Sequence, residues 1–115
     1  MAFIDWAAVP TQSLAPGVRI RTPHGERLML SLLEIDADAV IPAHQHPHEQ
    51  AGLVLDGQLE LIIDGVSRTL SAGDAYTVPG NVTHSARAVE GPCRVIDVFS
   101  PIREDYAKGM NAYAR

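Results

Sequence analysis

The sequence predicts an all-β sandwich or barrel. Three observations carry that expectation. Short runs rich in aliphatic and β-branched residues recur along the chain. Turn residues break them at intervals of about 8–12 residues. Only the two ends depart from this rhythm.

Residues 4–10 form a short turn or strand around Trp6. "GVRIRT" is the next run, and "PHGE" separates it from "RLMLSLLEI". "AVIPAHQH" then leads to "AGLVL". Asp56-Gly57 divides "AGLVL" from "QLELII", and Asp64-Gly65 divides "QLELII" from "VSRTL". Asp-Gly suits the type I′ hairpin, in which both central residues need φ > 0. "SAGD" turns the chain into "AYTV", "PGN" ends that run, and "EGP" separates "HSARAV" from "CRVIDVF". A helix is expected over residues 100–114. Ser100 suits the N-cap, Pro101 the first helical position, and Glu104 and Asp105 the first turns. Ile102, Tyr106, Met110 and Tyr113 recur near a 3.6-residue period, so one side can dock on the barrel, while Gly109 weakens the helix.

A chain of 115 residues is one domain, 1–115, long enough to bury a core without staples. Its 46% hydrophobic and 20% charged content is that of a globular protein. A net charge of -5 argues against nucleic-acid and anionic-membrane partners, which need a basic face. The single cysteine, Cys93, allows no internal disulfide and reads as a small buried hydrophobe. The N-terminal stretch has no basic n-region and carries Asp5 within its apolar part, unlike a signal peptide. No apolar run approaches the ~18 residues of a membrane span. A reducing, cytoplasmic setting is the expectation.

The chemistry concentrates in "AHQHPHEQ", residues 43–50. Side chains alternate faces along a strand, so His44 and His46 point the same way. Two neutral imidazoles on one face make half of a metal site. Gln50 and His84 are the candidates for the rest. Glu49 is the rival of Gln50, but its parity is opposite to that of the histidines. His48 shares their parity, yet a strand rarely runs cleanly through Pro47, so His48 reads as a cavity-rim residue. His24, in "PHGE", reads as a solvated loop histidine. Asp97 lies between Ile96 and Val98 in the most apolar late run, sharing a face with Val95 and Phe99. A carboxylate there is costly unless it is paired or working. Arg103, near a helix start that disfavours cations, needs an anion: Asp97 or a substrate carboxylate.

These residues resemble the cupins. His44, His46, Gln50 and Gly57 fall at the spacings of the first cupin motif, and Gly73, Pro79 and His84 at those of the second. Asn81 stands where the family often has glycine, a mild departure because Asn tolerates left-handed backbone. Gln50 stands where most cupins have glutamate. The stretches 28–61 and "IDVFSPIRED" are similar to the single-domain pectin-degradation (KdgF-type) cupins, whose amide ligand is glutamine.

The resemblance implies a double-stranded β-helix, or jelly-roll barrel, with a short C-terminal helix. It implies one divalent transition metal ion (Ni, Zn, Mn, Fe or Co) on His44, His46, Gln50 and His84. It implies an isomerase that opens 4,5-unsaturated monouronates from pectin or alginate into linear keto acids. Asp97 would move the proton and Arg103 would hold the carboxylate of this small anionic sugar. Phe99 would pack on its face, with His48 at the rim. An iron dioxygenase, a manganese oxalate-type enzyme and a non-catalytic sugar-binding cupin are the alternatives. A homodimer through the apolar segment Phe3, Ile4 and Trp6 is also expected.

Overall fold

The computed structural model describes residues 3–107. Its strands are β1 (Gln12–Ala15), β2 (Val18–Arg21), β3 (Met29–Ile35), β4 (Val40–His44), β5 (Glu49–Asp56), β6 (Gln58–Ile63), β7 (Val66–Ser71), β8 (Ala75–Val78), β9 (His84–Ala88) and β10 (Cys93–Ser100). One helical turn, α1 (Glu104–Ala107), follows them. The strands form two antiparallel sheets, ordered β1-β2-β3-β10-β5-β8 and β4-β9-β6-β7. No helix among the described residues is long and apolar enough to cross a membrane.

Alternation sets the core. Along β5, Gln50, Gly52 and Val54 are buried while Glu49, Ala51 and Leu53 face out. Along β10, Cys93, Val95, Asp97 and Phe99 are buried. Leu14, Ile20, Leu33, Leu59, Leu61 and Phe99 meet in one cluster between the sheets. Burying each such side chain contributes about 1.5–3 kcal/mol. Burial also raises the Cys93 thiol to about 11, which keeps it protonated and inert.

Cross-strand register stacks the inner face of the larger sheet in rows. One row is Val78–Gln50–Phe99–Met29. The next is Tyr76–Gly52–Asp97–Ser31. Below it, Val54, Val95 and Leu33 are wholly apolar. The larger sheet therefore carries one polar layer between the mouth and the floor of the barrel.

Three local expectations need correction. Asp64-Gly65 does turn a hairpin, with φ values of 49° and 79° and Ile63 paired to Val66. Asp56-Gly57 does not, because β5 and β6 lie in different sheets. There the chain crosses over, and only Gly57 takes positive φ, at 80°. A Cβ on Gly57 would strike the Pro92 carbonyl, so close passage of backbone also requires glycine. Second, "QSLA" forms β1, a strand the turn rhythm does not announce because prolines flank so short a run. Leu14 and Ala15, each 1% exposed, hold it in the core. Third, β10 runs through Ser100 and α1 starts at Glu104, so Ser100 is not its N-cap. Tyr106 is buried, as the docking side required, and Ile102 packs against the core. Gly109, Met110 and Tyr113 lie outside the described residues. At the other end, Trp6–Ala8 form a 3₁₀ turn capped by Asp5, whose Oδ1 accepts from the Ala7 N–H. Phe3 and Ile4 are exposed.

Candidate metal centre

His44 ends β4, His84 begins β9, and the two are direct register partners. Their ring centroids are 4.2 Å apart. Strand alternation does not deliver His46, because β4 stops at His44. A loop delivers it instead, tied to the turn before β9. The Asn81 N–H donates to the His46 carbonyl at 2.7 Å, with Asn81 at φ 64°. Gly80 passes so close to Pro47 that a Cβ would meet the Pro47 carbonyl oxygen at 2.5 Å. Thr83 Oγ1 donates to Gln45 Oε1 at 3.1 Å. The His46 ring thereby sits 5.6 Å from His44 and 4.9 Å from His84. One ligand atom from each of the three histidines lies within 4.8 Å of the others.

The hydrogen bonds fix which nitrogen faces inward. Nδ1 of His44 meets the Pro42 carbonyl at 2.7 Å, that of His46 the His48 carbonyl at 3.1 Å, and that of His84 the Val82 carbonyl at 2.8 Å. A carbonyl accepts only, so each Nδ1 carries the proton and each Nε2 keeps its lone pair. Nε2 of His46 and His84 is buried with no hydrogen-bond partner among the described residues. Burial drops His44 and His46 to about 4 and lowers His84 as well, and the Arg103 charge adds to the effect. The imidazoles are therefore neutral at physiological pH, the state in which they can bind a metal.

Gln50 adds a third unpartnered acceptor, its buried Oε1. Its side chain hydrogen-bonds Asp97 and Tyr76, which turns the amide nitrogen toward them. Glu49, on the opposite face of β5, is exposed. A buried polar atom left unpaired costs about 1–3 kcal/mol. Several lone pairs around one space, with no donor among them, suit a cation. The donor set of imidazole nitrogens and an amide oxygen suits a divalent transition metal.

His48 is half-buried, and its ring lies edge-on to His46 at 5.3 Å. Its side chain is neither in the three-histidine set nor on the cavity wall. What it supplies is the backbone carbonyl that orients His46. His24 is exposed.

The cavity beside the histidines is lined by His44, His84, Gln50, Asp97, Phe99 and Arg103, among others. Asp97 accepts a hydrogen bond from the Tyr76 hydroxyl, which reaches it across Gly52. A Cβ at position 52 would overlap both the Tyr76 ring and the Asp97 carboxylate. Burial pushes Asp97 up to about 6, against hydrogen bonds from Tyr76 and Gln50 and the Arg103 charge, which pull it down. Burial, with the Asp97 charge added, raises Tyr76 well above its ordinary value, so it remains a donor. Neither Tyr76 nor Ser31 stood out in the sequence. The available signal was a glycine inside an apolar strand, which marks close approach by a neighbour. Gly52→Ala is expected to cost about 1–3 kcal/mol through overpacking. Urea denaturation tests this, and an alanine variant as stable as the parent would show that Tyr76 does not need the gap.

Arg103 is buried, and its ion partner is Asp105 rather than Asp97. Nη2 meets Oδ2 at 2.8 Å and Nε meets Oδ1 at 3.3 Å. Nη1 donates to the Tyr106 hydroxyl at 2.8 Å. The guanidinium lies 3.9 Å from the Tyr106 ring centroid and 5.4 Å from that of Phe99. Asp97 feels Arg103 as a charge.

The cupin domain family matches residues 31–99, from within β3 to Phe99 in β10. The pectin degradation protein KdgF of Dickeya dadantii (strain 3937) is 32% identical over 106 residues, covering 90% of this chain and 96% of that protein. An H2HPP isomerase of Bacillus subtilis is 42% identical over 107 residues, and the chain spans 45% of its length. Among solved structures, KdgF from Halomonas sp. superposes with a TM-score of 0.85 at 36% identity, covering 92% of this chain and 98% of that one. An RmlC-like cupin from Shewanella frigidimarina NCIMB 400 gives a TM-score of 0.86 at 30% identity, covering 92% and 96%. The β-barrel, the converging histidines and these full-length likenesses lead to one conclusion: the chain belongs to the cupin domain family and is related to the KdgF pectin degradation proteins.

Proposed function

We propose that the chain is a metal-dependent isomerase that converts 4,5-unsaturated monouronates into linear keto acids. The observation that carries this reading is one cavity whose wall carries two members of the neutral three-histidine cluster, His44 and His84, with a carboxyl group shifted toward neutral pH and a buried arginine. The related proteins, named for pectin degradation and for isomerisation, support the same class.

His44, His46 and His84 through Nε2, and Gln50 through Oε1, would hold the ion. A divalent transition metal bound there supplies Lewis acidity toward a substrate oxygen. The chain's own groups do the rest. Opening of the hemiacetal breaks the bond from C1 to the ring oxygen; C1 becomes an aldehyde as its hydroxyl gives up a proton, and the ring oxygen takes up a proton to become the hydroxyl of an enol across C4 and C5. Asp97, shifted to about 6, can hold a proton near neutral pH and give it to C4. The enol hydroxyl proton returns to the carboxylate as the C5 ketone forms, so no net proton is consumed. Tyr76 and Gln50 hold the carboxyl group in place by hydrogen bonds, Tyr76 at Oδ1. Arg103 already spends one edge of its guanidinium on Asp105, so it would attract the uronate carboxylate as a positioned charge rather than through that edge. Phe99 supplies an apolar face.

The test is loss of the ultraviolet absorbance of unsaturated monouronate from lyase-digested pectin. The protein should accelerate it beyond the spontaneous rate in buffer. Equal rates would sink the uronate reading.

A further inference from the structure

The row Tyr76–Gly52–Asp97–Ser31 ends in a hydroxyl for which the fold has no use. Ser31 is 1% exposed, and its Oγ has no hydrogen-bond partner among the described residues. It lines the same cavity as His44, His84 and Asp97. It is also the direct register partner of Asp97, which places the two Cβ atoms about 4.5–5.5 Å apart. On its own strand, the inward neighbours Met29 and Leu33 are apolar. An alanine would fill the same place without a polar atom to satisfy. A buried hydroxyl without a partner is a cost to the folded protein unless a bound molecule completes it.

We infer that Ser31 is a substrate-binding residue whose hydroxyl pairs with a hydroxyl or carbonyl oxygen of the bound sugar acid, beside the atoms served by Asp97. This rests on the uronate reading above. Below Ser31 the wall turns apolar, at Val54, Val95 and Leu33, so the polar reach of the substrate ends at this row. Ser31 would thus hold the sugar equally before and during the reaction, at the depth where the polar wall ends. It moves no proton.

The experiment pairs steady-state kinetics on unsaturated monouronate with thermal melts of the ligand-free proteins, for wild type and Ser31→Ala. KM should rise roughly five- to tenfold, the loss of one buried hydrogen bond, with kcat within about twofold. The ligand-free melting temperature should be no lower than that of wild type, because the lost hydroxyl has no partner among the described residues. A variant with unchanged KM overturns the inference while leaving the uronate reading intact. So does a loss confined to kcat, which would assign the hydroxyl to chemistry, or a clear fall in melting temperature, which would make it structural. A wild type no faster than buffer removes the uronate reading and this inference with it.

Discussion

His84→Ala is expected to lower the acceleration of monouronate opening at least about a hundredfold and to leave the dialysed protein short of metal. Loss of groups that merely orient a metal ligand costs about 10–100-fold in metal affinity or activity, and a ligand itself should cost more. His84 is the strand partner of His44, and its Nε2 is buried without a partner. No other described histidine can replace it, because the ring of His48 stands outside the cluster and His24 is exposed. Elemental analysis and the ultraviolet assay read the two losses separately, and His24→Ala is the control that should change neither. A His84→Ala protein with stoichiometric metal and the parent rate would show that the histidine cluster is not a metal centre.

Asp97→Asn should abolish proton transfer yet stabilise the metal-free protein at neutral and alkaline pH. The sign follows from linkage. Burial raises the carboxyl from 3.8 to about 6, so between those values the folded protein keeps a proton that the unfolded chain has lost. Stability therefore falls as pH rises through that window, and the full penalty stands above pH 6. A shift of about two units corresponds to about 3 kcal/mol, an upper bound because Tyr76 and Gln50 also bind the neutral amide less strongly. Urea titrations of chelator-treated protein from about pH 4 to 8 should show this decline in the parent and a flatter profile in the variant. Equal slopes would mean that Asp97 does not titrate in that range. Wild-type turnover by Asp97→Asn would remove Asp97 from the proposed chemistry.

The residues that gather at the site were legible because barrel strands alternate and motif spacing survives folding. Gln50 was preferred to Glu49 by parity with the histidines, a count that the loop between β4 and β5 breaks; Gln50 is the inward residue because it alternates with Gly52 and Val54 on β5. Val95, Asp97 and Phe99 could be placed on one face. The path of the chain was less legible. The reason for His46 was misread, since its position comes from a loop held by Asn81 and Gly80 rather than from an extended β4. Asp56-Gly57 and Asp64-Gly65 are alike as dipeptides. Only the distant pairing of β5 with β8 and β10, and of β6 with β7 and β9, distinguishes crossover from hairpin. Arg103 was expected to need an anion, but Asp105, two residues away, was overlooked as the partner that supplies it. Tyr76 and Ser31 escaped notice because their importance depends on which strands lie beside β10, and no local pattern encodes that order.

The gap at Gly52 ties three positions on three strands into one packing unit. A larger side chain there would evict the Tyr76 ring, and a phenylalanine at 76 would keep the ring over Gly52 but leave Asp97 short of a donor. Relatives that keep this carboxylate in use should therefore keep glycine and tyrosine together. Lineages that have given up its chemistry should lose the two in step, so that covariation of positions 52 and 76 tracks what the barrel does rather than how it folds.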